Sequence, residues 1–285
     1  MSLYQAFIDR KKSQMRTTDK LYYLDQYLYQ AEARVATLHA EAIELDRTVA
    51  FPEGGGQEAD IGTIETPVGT FRFIWTKRLY GTPLSIEGFT GAKAGGVILH
   101  LVHPDDIDRL GALEVDMPVT ITIDVERRAR LTLSHTASHF LYAAALAHQP
   151  ELKRLTIGCH IKEDAARFDF LVETPFDAED VSAIQTEANR LMADNLPIIT
   201  DHLPDHYDAR FWQYGDLYIP CGGTHLETPE AVGPLQVRRK NIGKSKERLL
   251  CSFDQAHIDT ACYHVDAECH AGICLLYTSP SPRDS

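Results

Sequence analysis

Two short segments, far apart in the sequence, carry four potential metal ligands, and this pairing restricts the fold more than any other feature. Residues 131–146 form an Ala- and Leu-rich run that predicts a helix and contains His135 and His139. Because residues four apart share one helix face, both imidazoles can reach one ion. The second segment is Cys221-Gly-Gly-Thr-His225, whose glycines predict a turn. We therefore expect a fold that brings the two segments together in one domain.

The chemistry of these donors favours zinc. One thiolate and three imidazoles form a borderline-soft set, which suits Zn²⁺ better than Mg²⁺ or Ca²⁺. His135 and His139 alone could be ordinary helix-surface residues, but a cysteine followed by two glycines and a fourth donor has no evident packing purpose. The spacing matches no zinc finger. Cys159, next to His160, is interpreted as a strand residue rather than a ligand.

Composition describes a soluble globular chain. The 285 residues are 44% hydrophobic and 24% charged, enough for one large or two ordinary domains. We expect no membrane span, because no long apolar run exists, and no secretory signal, because the N-terminus has no apolar core. The six cysteines are spaced irregularly, which favours free thiols in a reducing, cytoplasmic compartment.

Charge gives two opposing indications about nucleic acid. A net charge of −13 argues against a phosphate-rich partner. Two local basic clusters argue for one, although the second could equally be the solvated turn of a β-hairpin. The candidate RNA-binding residues in these clusters are Arg127, Arg128, Lys240, Lys244, Lys246 and Arg248.

The pattern of short β runs and helices predicts an α+β protein with a small N-terminal β-barrel. Apolar residues at helical spacing over 177–192 predict a packed amphipathic helix. The expected divisions are an extension at 1–17, the β-barrel at 18–125, a zinc-binding α+β domain at 126–253, an unassigned part at 254–273, and a sequencing-adapter artefact at 274–285.

Several separated motifs together resemble one family. They are the stretch from Leu45-Asp-Arg-Thr48 to Phe51-Pro-Glu-Gly-Gly-Gly-Gln57 with Asp60 and Gly62, Glu126-Arg-Arg128, His135-Thr-Ala-Ser-His139, Arg167-Phe-Asp-Phe170, Cys221-Gly-Gly-Thr-His225 and Asn241-Ile-Gly-Lys244. In this order they resemble the free-standing alanyl-tRNA editing proteins, the AlaX family, which are similar to the editing domain of alanyl-tRNA synthetase. We expect no intact synthetase, because no aminoacylation domain precedes the barrel.

The resemblance implies zinc-dependent deacylation of alanine tRNA that carries serine or glycine. Gln57, on its glycine loop, is the candidate for orienting the ester or a water molecule, or it stabilises the loop. Thr48 and Asn241 are candidates for bonding a serine hydroxyl, with structural roles as the alternative.

Two other functions stay open. A different zinc hydrolase, such as a peptidase of the HExxH type, would need Glu where this chain has Thr136. A non-catalytic, zinc-stabilised RNA-binding module is the other.

Overall fold

The computed structural model describes residues 17–265, so the expectations for residues 1–16 and 266–285 lie outside the described range. Residues 17–124 are mainly strands, with 3-10 helices at Leu21–Tyr23 and Pro104–Ala112. The strands are β1 (Asp19–Lys20), β2 (Leu28–Leu38), β3 (Ala42–Leu45), β4 (Arg47–Thr48), β5 (Gly62–Thr66), β6 (Gly69–Leu79), β7 (Thr82–Pro83), β8 (Lys93–Ala94), β9 (Val97–Val102) and β10 (Pro118–Ile123).

Six of these strands close into a barrel, which confirms the predicted N-terminal architecture. The hydrogen-bonded order is β10-β5-β6-β9-β3-β2, and β2 pairs again with β10. Every pair in this ring is antiparallel. Closure of the barrel pairs the backbone N–H and C=O groups that would stay unpaired at the two edges of an open sheet.

Alternation along the strands fills the barrel interior. In β6, the buried Phe71 and Phe73 alternate with the exposed Arg72 and Ile74. A strand has a side-chain period of two, so such a sequence buries one face only. Burying each phenyl ring contributes about 1.5–3 kcal/mol.

The second part of the chain mixes helices with strands, and a 3-10 helix lies at Glu230–Val232. None of the helices within residues 17–265 combines the length and apolar character needed to cross a bilayer. The elements are α1 (Val125–His148), α2 (Leu152–Leu155), β11 (Thr156–Ile161), β12 (Ala165–Leu171), α3 (Ala178–Ala193), β13 (Ile198–Leu203), β14 (His206–Tyr214), β15 (Leu217–Pro220), β16 (Gln236–Gly243), β17 (Lys246–Ser252) and β18 (His264–Val265).

Two antiparallel sheets and the helices enclose a second core, so the α+β class is confirmed. One sheet has the order β11-β12-β17-β16, and the other has the order β13-β14-β15. Phe140 of α1, Phe170 of β12 and Trp212 of β14 are buried in this core. As predicted, α3 turns an apolar face inward, with Ile184 and Ala188 buried.

The β-rich pattern of residues 42–51 predicts one continuous strand, but the strand that forms there is shorter. β3 ends at Leu45, and after Asp46 the chain forms β4, which pairs in parallel with β1. The Asp46 carboxylate accepts hydrogen bonds from the backbone N–H groups of Arg34 and Arg47, at 2.7 and 2.9 Å. These bonds compete with ladder hydrogen bonds and divide the strand.

The segment after residue 253 returns to the barrel. β18 pairs in parallel with β2, and the Tyr263 ring lies edge-on to Tyr27, with 5.5 Å between ring centroids. No strand was predicted for this segment. The domain limits at residues 125 and 253 stay predictions.

Candidate metal centre

The helix α1 presents the histidine pair. Asp124 caps its N-terminus by accepting a hydrogen bond from the backbone N–H of Arg127 at 3.0 Å, which fixes where the helix begins. The side chains of His135 and His139 then fall one turn apart, with 4.9 Å between ring centroids. Both side chains are buried, as is every residue of α1 from Leu131 to Leu141.

The loop after β15 supplies the other two donors. The Cys221 sulfur lies 3.5 Å from Nε2 of His135 and 3.3 Å from Nε2 of His225. The ligand atoms of His135, His139, Cys221 and His225 all lie within 4.8 Å of one another. The fold thus brings together the four side chains that sequence analysis grouped, and this cluster could hold a metal ion.

The surroundings of the cluster fit an ion. A Cβ atom added to Gly223 would lie 2.1 Å from Cε1 of His135, so only glycine leaves room for the ring. His139 Nδ1 is buried and has no hydrogen-bond partner among residues 17–265. A buried nitrogen without a partner costs free energy unless another group, such as a cation or a water molecule, satisfies it.

When no metal is bound, burial determines the protonation states of the three imidazoles and the thiol. It lowers the pKa of His135 to about 3 and holds the pKa values of His139 and His225 well below the usual range. The neighbouring imidazoles lower the latter two further. Burial raises the pKa of the Cys221 thiol to about 12, although the N–H of Gly223 opposes this shift. The three imidazoles are therefore neutral and ready to donate lone pairs.

Gln57 supports the cluster from the glycine loop at residues 52–57. Its Oε1 accepts a hydrogen bond from Nδ1 of His135 at 2.7 Å and another from the backbone N–H of Thr224 at 3.1 Å. Its amide group donates to the Thr224 hydroxyl at 3.1 Å. An amide oxygen can only accept, so His135 carries its proton on Nδ1 and turns the Nε2 lone pair toward Cys221.

The glycine loop is held against β11. Ile161 donates its backbone N–H to the carbonyl of Gly56 at 2.8 Å. A Cβ atom on Gly56 would lie 2.1 Å from the Cys159 sulfur, and its φ of +90° also favours glycine. Cys159 is a strand residue, as expected, and packs beneath the loop that carries Gln57.

Thr48 and Asn241 make hydrogen bonds away from the cluster. The Thr48 hydroxyl is buried in the barrel, 2.9 Å from Nε2 of His100. Asn241 lies in the hairpin formed by β16 and β17, where its amide donates to Glu247 at 2.8 Å. Their roles in substrate recognition stay predictions.

The two arginines at the start of α1 are engaged within the protein. Arg128 is completely buried; it pairs with Asp60 and donates to the Val49 carbonyl at 2.7 Å. It has no surface with which to contact RNA, so the expectation for Arg128 is corrected. Arg127 is 12% exposed and is ion-paired with Glu58 and Glu163.

The remaining basic candidates lie on and beside the outer face of the four-stranded sheet. Lys240 pairs across the ladder with Arg248, and Arg248 with Asp169, so their side chains share one face. Arg248 is ion-paired with Asp169. Lys240, Lys244 and Lys246 are exposed and have no ion pair among residues 17–265.

Several residues around the cluster were not predicted to be site residues. Arg167 lies on the same outer face, and the alternation of Arg167 and Asp169 with buried Phe168 and Phe170 could have identified it. Thr132 and Trp212 had no recognisable signal. Thr132 shares a 2.7 Å hydrogen bond with Thr224, and the Trp212 ring packs 4.8 Å from that of His139.

Comparison with known proteins finds alanine–tRNA ligases among the relatives, although no family model matches the chain. An alanine–tRNA ligase of Haloquadratum walsbyi is 29% identical over 276 residues, which cover 85% of this chain and 26% of that protein. The alanine–tRNA ligase of Methanothrix thermoacetophila is 26% identical over 281 residues, covering 89% of this chain and 28% of the relative. The alanine–tRNA ligase of Ignicoccus hospitalis is 29% identical over 246 residues, which cover 77% of this chain and 24% of that protein. The chain spans about a quarter of the length of these relatives. It is therefore related to one segment of the alanyl-tRNA synthetases, and the resemblance predicted from its motifs is confirmed.

Proposed function

We propose that this chain is a trans-editing hydrolase, which cleaves the ester that joins serine or glycine to alanine tRNA. The observation that carries the proposal is the buried cluster of three imidazoles and one thiol, held by Gln57. Its setting in a chain related to alanyl-tRNA synthetases supports an aminoacyl ester of tRNA as the substrate. The four cysteines within residues 17–265 are free, which supports a reducing, cytoplasmic setting.

Zinc is the ion that we assign to the cluster. The donors are nitrogen and sulfur, and no carboxylate of residues 17–265 is hydrogen-bonded to any of the four side chains. This set suits zinc and disfavours magnesium and calcium, which require oxygen ligands. When bound, zinc supplies Lewis-acid chemistry or a binding point for the amino end of the substrate.

The side chains of the protein have two tasks in this proposal. Gln57 fixes the tautomer and orientation of His135, and its loop forms one wall of the centre. Thr48 and Asn241 remain proposals for recognising a serine hydroxyl. A site built to bond a hydroxyl would disfavour alanine, which lacks one.

Alanine tRNA is the proposed partner, and its phosphates would lie along the outer face of the four-stranded sheet. Lys240, Lys244 and Lys246 are exposed there, beside Arg248 and Arg167. Local cations of this kind can attract phosphate although the whole chain carries a net charge of −13. Arg127 is a weaker candidate because its guanidinium is already paired with two carboxylates.

A second function has one observation in its favour. Four protein ligands form a closed set, which is typical of structural zinc sites. This favours a non-catalytic, zinc-stabilised RNA-binding module over a zinc hydrolase of another class. For the latter, Thr136 stands where a carboxylate base would be needed, and its hydroxyl is bonded to the Thr132 carbonyl and the Leu226 N–H.

Deacylation assays separate these functions. Seryl-, glycyl- and alanyl-tRNA(Ala) are incubated side by side with the protein, with a chelator-treated sample and with a Cys221→Ala variant. We expect release of serine or glycine but not alanine, and loss of at least about 100-fold in rate with the variant or the chelator. Binding of tRNA without hydrolysis of any ester would instead support the non-catalytic module.

A further inference from the structure

Within residues 17–265, Cys221 is the most exposed member of the metal cluster. His135, His139 and His225 are at most 5% exposed, whereas Cys221 is half-buried. The residues around Cys221 therefore border the most exposed edge of the cluster, and we call this edge the entrance.

Arg210 lies directly at this entrance. The backbone N–H of Cys221 donates to the carbonyl of Arg210 at 2.9 Å, so the two residues face each other across the sheet. Side chains two apart on a strand share a face, and Trp212 packs against His139. The side chain of Arg210 therefore projects on the face of β14 that borders the cluster.

Two tyrosines hold the Arg210 guanidinium in place. Its Cζ lies 4.5 Å from the ring centroid of Tyr23 and 6.0 Å from that of Tyr207, and we call these three residues the Arg210 stack. A Cβ atom added to Gly222 would lie 3.0 Å from the Tyr23 hydroxyl, so the stack adjoins the residue next to Cys221. Tyr207 is 39% exposed and offers a ring to a ligand.

Arg210 is also a cation whose charge is not paired with a carboxylate within residues 17–265. Its side chain has no ion pair and no hydrogen bond among residues 17–265. The carboxylate of Asp208, two positions away, is taken by Lys20 at 2.6 Å and Arg78 at 3.2 Å. A guanidinium left unpaired between aromatic rings is suited to a phosphate or a stacked base.

We infer that the Arg210 stack binds the 3′-terminal nucleotide of the RNA, with Arg210 on its phosphate and Tyr207 against its base. This inference rests on the proposed function, in which the ester is attached to that nucleotide. The amino group of the esterified amino acid is cationic and would be repelled by Arg210, so the phosphate is the group that it selects. Stacking on an aromatic ring accepts any base and adds affinity without requiring a particular sequence.

Binding of uncharged RNA hairpins tests this inference. One hairpin ends in a single-stranded CCA, and a second lacks the terminal nucleotide. Wild-type protein should bind the first at least about fivefold more tightly in fluorescence anisotropy. Arg210→Gln should abolish this preference, Arg210→Lys should keep part of it, and Tyr207→Ala should reduce it. Arg190→Gln, at an exposed position on α3, is the matched control.

Metal content is measured for each variant and should equal that of the wild type. A full preference in both Arg210→Gln and Tyr207→Ala would overturn the inference, as would an equal loss of affinity for both hairpins. The hairpins carry no amino acid, so the result does not depend on hydrolysis. Failure of the deacylation assay would refute the proposed function separately.

Discussion

Gly223 leaves the space that the His135 ring and the Gln57 side chain occupy in the candidate metal centre. A methyl group at this position would lie 2.1 and 2.3 Å from two atoms of the His135 ring and 2.7 Å from Oε1 of Gln57. The ring cannot retreat easily, because it is buried and bonded to Gln57. We predict that Gly223→Ala moves His135 and lowers metal affinity by about 10- to 100-fold. Competition with a chromophoric chelator measures this change.

Gly111→Ala is the control for this substitution. A Cβ atom at Gly111 meets nothing within 4 Å, so metal affinity should be unchanged. Far-UV circular dichroism checks that Gly223→Ala is folded. Wild-type affinity in a folded Gly223→Ala protein would show that His135 is not a ligand.

Which residues could be predicted from the sequence depends on how local their partners are. The four donors were predictable because helix periodicity and a glycine turn act over a few positions. The bond between Gln57 and His135 was not, since the partners lie on different elements and the glutamine was expected to orient substrate or water or to stabilise its loop. Arg128 resembled a surface cation until its pairing with Asp60 was visible.

The barrel strands carry a buried histidine with a pH-dependent contribution to stability. His100 donates from Nδ1 to the Ile43 carbonyl at 3.0 Å and accepts from the Thr48 hydroxyl at Nε2. Burial lowers the pKa of His100 to about 4, although the bond to Ile43 opposes the shift. Between pH 4 and pH 6.5 the unfolded chain binds more protons at this residue than the folded one. The contribution of His100 to the free energy of unfolding is thus fully present above pH 6.5 and is lost as pH falls toward 4.

We predict that His100→Gln flattens the pH dependence of stability across this window. The shift corresponds to at most about 3 kcal/mol in the free energy of unfolding. Urea unfolding at pH 7.5 and pH 4.5 measures the difference for each protein. His206→Gln, at an exposed position in β14, should behave like the wild type. An unchanged pH dependence in His100→Gln would assign the effect to other groups.

At the scale of elements, regular patterns were predictable and interrupted ones were not. β6 follows from clean alternation and α3 from helical periodicity. β14 was missed because its buried residues, Ala209, Trp212 and Tyr214, do not alternate regularly along the strand. Its start is also irregular, with a register shift between His202 and Leu203 of β13.

The cluster of three histidines and Cys221 also joins the two cores of the molecule. Gln57 reaches His135 from the glycine loop, and Gln26, just before β2, exchanges two hydrogen bonds with the backbone of His225 at 2.6 and 2.9 Å. The buried pair of Arg128 and Asp60 adds a further link. Because these contacts depend on the ligands staying in place, the state of the cluster should affect stability beyond its own loop.

Removing the metal should therefore lower the stability of the whole molecule. A ligand that binds only the folded state adds about 2.7 kcal/mol at a hundredfold excess over its Kd, which corresponds to roughly 5–10 °C in Tm for a protein of this size. We expect one calorimetric transition that moves down by this amount with a chelator and returns when zinc is added. Cys221→Ala should melt near the chelated wild type and respond little to either treatment. Two transitions, of which only one responds to metal, would show that the halves unfold independently despite the hydrogen bonds of Gln26 and Gln57.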